Sequence, residues 1–336
     1  MKMIKSVILL ESKVAYLIVC FNSEKYITKC INSILNQSHK NYEIIVIDNN
    51  SQDNTVSIVK KFLIENQKIK LIANQNNVGY GNAITMAIGN SQGEFIAILN
   101  DDVYLDPEWT SNLLKIFMTD EKIMSASGRV LFPDGELQSA GGMMDKYGAV
   151  VQRESKIFHA RKIKSNSFFY NDGSAFMIRR KILDEIYFDP KLFLYYEDVD
   201  LCWKIRMAGY KIGYTQEAIS YHDAGHSNSD MSVSKFYYIS RNRIYVCQKN
   251  YSSKNVICRL PNTIFLMFFN ALFYDATRKP KGYTGAFFKA LIWNLSNLGH
   301  TINEHKRLRL TNKISDSDLD SHIIQNSIEL SRIKKN

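Results

Sequence analysis

Short apolar runs alternate with amphipathic stretches through the first hundred residues. Val14–Cys20 (VAYLIVC), Glu43–Ile47 (EIIVI), Ile69–Ala73 (IKLIA) and Glu94–Leu99 (EFIAIL) are nearly continuous in aliphatic side chains, the pattern of strands buried on both faces. Between them lie segments with helical spacing. One is capped by Ser23 and runs to about Gln37, one carries Val56, Ile58, Val59, Phe62 and Leu63, and a short one covers 80–90. Strands alternating with helices predict an α/β fold with a mostly parallel sheet flanked by helices.

The rhythm then loosens. Residues 129–151 predict a hairpin region turning at Pro133-Asp134-Gly135, and 157–168 is basic and irregular. Gly173–Arg180 (GSAFMIRR) reads as a strand, Lys181–Ile186 as a short helix, Leu201–Ala208 as a helix, and Lys211–Tyr214 as a strand leading to His222 and His226. Beyond 230 the chain is helical and rich in aromatics. The organisation expected is an α/β unit over 1–230 followed by a helical, basic region over 231–336.

Three of the first four strands stop at polar residues: Asn22, Asp48 and Asn100-Asp101-Asp102. Ligands of open α/β sheets bind beyond the carboxyl ends of the strands. One such cluster reads as a helix cap, but three of them converge on a site. Asp102, beside another acid, can hold a hard divalent cation that bridges phosphates. His222, at the end of a strand-like segment, becomes a second metal ligand if paired with a strand-end carboxylate. In Glu197-Asp198-Val199-Asp200, mutual repulsion raises the pKa of at least one acid, which suits a general base. Favourable placement at a helix start is the alternative, with Asp200 the structural member. Gly79-Tyr80-Gly81-Asn82-Ala83-Ile84 imitates a dinucleotide fingerprint, but Ile84 stands where a small residue lets helix and strand pack closely. A nicotinamide enzyme is therefore the weaker reading.

Composition narrows the class. With 45% hydrophobic and 23% charged residues the chain is globular. Its five cysteines form no CxxC pair, which argues for a reducing compartment and against a disulfide framework or zinc site. No secretory pattern opens the chain, and no run reaches the ~18–20 apolar residues of a membrane span. The best segment, Ile264–Tyr274, is interrupted by Asn270. Residues 1–230 hold 26 basic against 27 acidic side chains, and residues 231–336 hold 17 against 6, so the whole +10 excess lies in the last third. That asymmetry predicts an anionic partner. An anionic membrane surface rather than nucleic acid, with the protein cytoplasmic and peripheral on the membrane's inner face, is the expectation, and packing of these helices as core or as a subunit interface is the alternative.

Six motifs resemble the family 2 glycosyltransferases of the inverting GT-A class, particularly the rhamnosyltransferase-like branch. They are Leu17–Tyr26 (LIVCFNSEKY), Asn41–Thr55 (NYEIIVIDNNSQDNT), Asn76–Ala83 (NNVGYGNA), Leu99–Val103 (LNDDV), Gly173–Arg180 (GSAFMIRR) and Phe193–Gly209 (FLYYEDVDLCWKIRMAG). The resemblance spans roughly residues 13–250 and implies transfer of a sugar from a dTDP- or UDP-sugar to a surface polysaccharide or a polyprenyl-diphosphate-linked glycan. It implies that Asp48 bonds the base, that Asn22 and Glu24 border the nucleoside, and that Gly79, Asp101 and Gly173 belong to the donor site. Asn100 and Asp102 match the ends of the Asp-x-Asp motif. Asp102 and His222 would then hold Mg²⁺ or Mn²⁺, with Asn100 turned to the ribose, and Asp198 would be the base. Two departures stand out: GYGNAI after the third motif's start, and Tyr187-Phe188-Asp189-Pro190 where the family has Gly-Phe-Asp-Glu. A non-catalytic binding relative is the alternative, against which Asp102, Asp198 and His222 together argue.

Overall fold

The computed structural model describes residues 11–153, 168–223 and 231–330. His226 and most of the basic stretch 157–168 lie outside the described residues. Strands β1 (Val14–Cys20), β2 (Tyr42–Asp48), β3 (Ile69–Ala73) and β4 (Phe95–Asn100) run parallel in the order β3-β2-β1-β4. Helices α1 (Ile27–Leu35), α2 (Thr55–Glu65) and α3 (Tyr80–Gly89) connect them. Every residue of β1 and β2 is buried because both faces are covered. Tyr16 and Ile18 meet the α1 stripe of Ile27, Cys30, Ile31 and Ile34, whereas Leu17 and Ile45 meet Ala83 and Ile84 of α3. The helix predicted to be capped by Ser23 begins only at Ile27, because the Ser23 hydroxyl bonds Asp101 instead.

The second half makes the sheet mixed. Next come β5 (Val103–Leu105), α4 (Trp109–Thr119), β6 (Ile123–Leu131), β7 (Leu137–Ser139), β8 (Gly142–Met144), β9 (Val150–Gln152) and β10 (Ala175–Arg179). After them follow α5 (Glu197–Met207) and β11 (Lys211–His222). Strand β10 inserts between β4 and β6, antiparallel to both. An antiparallel strand starts where its parallel neighbours end, so Asp172-Gly173-Ser174 reach the end of β4. There the Asn100 amide donates to the Ser174 carbonyl at 2.9 Å. Strand β11 is parallel to β6 and antiparallel to β5, with His222 opposite Val103. The strand expected to stop at Tyr214 thus continues to His222. The helix expected from Leu201 begins at Glu197, and the helix at 181–186 is a 3₁₀ turn, Arg180–Asp184.

The last third forms α6 (Val233–Asn250), α7 (Ser253–Thr277), α8 (Tyr283–Ser296), α9 (Leu298–Thr311) and α10 (Asp316–Asp320). Tyr245 and Val246 of α6 share a core with Trp203, Tyr251, Leu308 and Leu319. The chain end returns to the sheet side, where Ile328 N–H donates to Asp145 at 2.7 Å and Arg243 grips Glu329 at 2.8 and 3.0 Å. The expectation that no segment is long enough to cross a membrane fails on α7. Its 25 residues suffice by length and composition, because Pro261 and Asn262 interrupt the apolar run in sequence but lie inside the helix.

Candidate active site

The strand ends are bound together by their own polar residues. Asn22 adopts a φ of +55°; its side-chain oxygen accepts from Gln52 N–H and its N–H donates to Ser51, both at 2.8 Å. The Glu24 carboxylate accepts from the backbone and side chain of Asn54 at 3.1 and 3.0 Å. Asp101 accepts from Phe21 N–H and the Ser23 hydroxyl. These three residues tie the β1, β2 and β4 ends into one rim.

Asp48 is different. It is 2% exposed, its Oδ2 accepts from Ser51 N–H at 3.0 Å, and its buried Oδ1 has no partner. A buried acceptor left unpaired costs free energy, and a ligand N–H would relieve it. Asn49 and Asn74 line the neighbouring wall, joined at 2.9 Å. Gly79 closes that wall with a φ of +84°, and a Cβ there would stand 2.6 Å from the Phe193 ring. Its glycine identity therefore serves close packing of the Phe193 segment, whose carbonyl accepts from Tyr80 N–H at 2.8 Å.

Asp102 and His222 meet because β5 and β11 pair. Asp223 N–H donates to the Asp102 carbonyl at 2.9 Å, and Asp102 Oδ1 lies 3.1 Å from His222 Nε2 with both side chains buried. Neither atom has an aligned hydrogen-bond partner. On the other side of the ring, His222 Nδ1 is 3.0 Å from the Gln138 amide oxygen. That oxygen only accepts, so Nδ1 carries the hydrogen and the Nε2 lone pair faces Asp102. Burial disfavours a charged His222, but Asp102, Asp172 and Asp101 outweigh it and raise the imidazole pKa. A proton or a divalent cation would serve between the two atoms. Among the described residues no three His, Cys, Asp or Glu side chains are arranged to hold a metal alone. Two protein ligands, leaving positions for phosphate and water oxygens, suit Mg²⁺ or Mn²⁺.

Asp198 sits in the first turn of α5, against Gly173. A Cβ at Gly173 would lie 2.7 Å from Asp198 Oδ2, so this glycine makes room for the carboxylate. Burial, with Asp172 adding to it, pushes the Asp198 pKa up to about 7. Glu197 is pushed up to about 8, chiefly by burial, and its Oε1 is buried without a partner. The turn before them is strained, with φ of +70° and +74° at Tyr195 and Tyr196. Asn242 of α6 clamps it, donating to the carbonyls of Leu194 and Tyr195 at 2.8 and 2.7 Å. Tyr80 crosses the cleft, its hydroxyl 3.1 Å from the Asn100 side-chain oxygen. Its pKa is pushed well up by burial and by Glu197, Asp101, Asp198 and Asp102. Four acids thus bear on Tyr80 from the cleft side.

The structure thus brings Asp48, Asn100, Asp102, Gly173, Asp198 and His222 to one cleft, and gives Asn22, Glu24 and Asp101 to its rim. Tyr80, Gln138, Asp172 and Asn242 escaped sequence reasoning. Tyr80 lay inside a quoted motif and Asp172 one residue before another, whereas Gln138 and Asn242 carried no local signal.

The model of glycosyl transferase family 2 matches residues 16–187, about half the chain. An uncharacterized glycosyltransferase of Haemophilus influenzae is 26% identical over 223 residues, 65% of this chain and 68% of that protein. The poly-beta-1,6-N-acetyl-D-glucosamine synthase of Staphylococcus aureus is 22% identical over 209 residues, covering 60% of this chain but only 47% of the synthase. Among solved structures, GalNAc-T7 with UDP, GalNAc and Mn²⁺ superposes with a TM-score of 0.60 at 16% identity, over 93% of this chain and 58% of that one. That likeness is one of fold.

Proposed function

The chain belongs to glycosyl transferase family 2, and from that premise we propose that it moves a sugar, with inversion, from a nucleoside-diphosphate donor to a hydroxyl of a surface polysaccharide or a polyprenyl-diphosphate-linked glycan. The observation that carries the reading is the pair Asp102 Oδ1 and His222 Nε2, buried, 3.1 Å apart and with no partner but each other, beside a cleft that also holds Asp198, its pKa pushed up to about 7. Asp198 takes the acceptor's proton as that oxygen bonds the anomeric carbon and the nucleoside diphosphate departs. Asp102 and His222 would hold a divalent cation, which would stabilise the diphosphate charge. Asp48 accepts from the nucleobase through its free Oδ1, and Asn100 faces the ribose. Polymer synthesis by the staphylococcal relative supports a glycan acceptor, and the motif pattern makes rhamnose on dTDP or UDP the first donor to test.

A thermal-shift screen of UDP-, dTDP- and GDP-sugars, with and without Mn²⁺, tests it. A ligand at ~100 times its dissociation constant stabilises by ~2.7 kcal/mol. One nucleotide family should stabilise the protein in a metal-dependent way and be converted to free nucleoside diphosphate. No stabilisation by any nucleotide with metal would sink the reading.

A further inference from the structure

The helices of the last third leave an apolar face uncovered. On α7, Ile257, Phe265, Phe269, Leu272 and Phe273 are exposed, with Phe265, Phe269 and Phe273 each at half or more, and their spacing of three, four and eight places them on one stripe. On α8, Phe288, Ile292 and Leu295 repeat it. Ring contacts run from Phe265 to Phe269 (4.6 Å), to Phe268 (6.2 Å) and on to Phe288 (6.1 Å), so the stripes join. A patch of this kind on a folded chain marks an interaction surface.

Charge says what covers it. Residues 253–311 hold nine Lys and Arg against two acids, Asp275 and Glu304. Both acids are committed: Asp275 accepts from the amides of Gly282, Tyr283 and Thr284, and Glu304 bonds the Tyr187 hydroxyl. Lys289 follows Phe288 directly, and Lys279 and Lys281 stand in the turn between α7 and α8. We infer that the outer face of α7 and α8 is the docking surface for an anionic lipid bilayer, entered by the exposed phenylalanines and held by the lysines beside them.

The helix is long enough to span, but its other bonds keep it on the surface. Thr263 bonds the Tyr147 carbonyl at 3.1 Å, Arg259 holds Asp320 at 2.6 and 2.9 Å, and Asn270 donates to Glu329. Leu266, Met267, Ala271 and Tyr274 are buried within the fold. Spanning would break all of these. The α7–α8 turn also packs against the start of α6, whose next turns reach the segment before Asp198. The Tyr283 hydroxyl donates to the Met231 carbonyl at the start of α6, and Tyr238 of α6 stacks on Phe193 at 5.4 Å, five residues before Asp198. Docking there sets the cleft beside lipid headgroups, where a polyprenyl-linked acceptor is met; only that last link rests on the transferase reading.

The test sediments the full chain with vesicles of phosphatidylcholine alone and of phosphatidylcholine mixed with phosphatidylglycerol. Wild type should bind the anionic vesicles at low salt and be released as salt rises. The combined Phe265→Ser, Phe269→Ser and Phe288→Ser variant should lose about a hundredfold in binding. Lys279→Ala and Lys289→Ala should each lose about fivefold. Melting temperature and UDP–Mn²⁺ binding, measured in parallel, should be unchanged. Wild type that ignores anionic vesicles, or a triple variant that binds as well as wild type, overturns the inference. A wild-type dimer that the triple variant dissolves points to a second copy as occupant and overturns it. Resistance to alkaline carbonate extraction points to a spanning helix and overturns it too. Failure of UDP–Mn²⁺ binding in every protein would count against the transferase reading alone.

Discussion

Asp198 and Asp200 lie two residues apart on α5 and live in opposite electrostatic worlds. Asp200 points down to Lys204 at 2.7 Å, Lys249 at 2.9 Å and the Asn250 amide at 2.8 Å. Asp189 joins that cluster, bonded to Lys249 and to the Tyr245 hydroxyl. Burial works against its ionisation, but Lys249 and Lys204 prevail and hold its carboxyl below the usual range. Asp198 instead faces Asp172 and the adjacent Glu197, and among the described residues it forms no ion pair. The lower cluster is complete within the fold and stabilises it. In the proposed reaction the upper one is completed by what binds. The same residue type, about half a turn of phase apart, serves structure on one face and, in the proposed reaction, chemistry on the other.

The sharpest way to break this contrast is Asp198→Asn, which keeps the shape but cannot accept a proton. Turnover should fall ~10²–10⁴-fold with donor affinity little changed. Near-normal turnover would move the base to Glu197. In the lower cluster, Lys249→Met strips the buried Asp189 of its ion pair and leaves Asp200 with Lys204 alone, and should cost about 3–5 kcal/mol of stability, read by urea denaturation. If instead it cost nothing, that cluster would not be what holds α6 to α5.

Asp102→Ala should abolish the metal dependence of nucleotide binding by calorimetry, and His222→Ala should weaken it about 10–100-fold. Equal nucleotide affinity of wild type with EDTA and with Mn²⁺ would overturn both assignments. The smallest effect is on stability. Asp198 and Glu197 have folded pKa values of about 7 and about 8, above their unfolded values near 4. The folded state therefore binds the extra protons, and the stability they contribute is full below pH ~4 and is lost as pH rises through 7 and 8. Activity should move the opposite way, increasing through pH ~7 as Asp198 ionises. Asp198→Asn should accordingly raise the melting temperature at pH 8 by about 2–4 °C. A variant melting no higher than wild type there would mean Asp198 is not strained by burial.

Much of the site was legible because strand ends are local events. An apolar run that stops at Asp48 or Asn100 announces a polar side chain at the sheet's edge, and the Glu197–Asp200 run announces a helix start. Less legible was anything made by distant contact. Gln138 orients His222 across 84 residues, and Asn242 clamps the Tyr195 turn from a helix with no motif of its own. Gly79 and Gly173 were readable as special, but whether each touched ligand or side chain was not. The 25-residue length of α7 was missed because Pro261 and Asn262 break the hydropathy pattern while leaving the helix whole.

By itself the sequence determined the β/α alternation, the burial of β1 and β2 and the acids at the strand ends, since these follow from side-chain period and polarity along adjacent residues. Tertiary structure decided the rest. Inserting β10 antiparallel brought Asp172 and Gly173 against Asp198, and pairing β11 with β5 set His222 facing Asp102 over a gap in sequence of more than a hundred residues. It also chose which acids meet lysines and which meet one another. Pairings of that kind depend on sheet order and on solvent exclusion, which no local pattern carries.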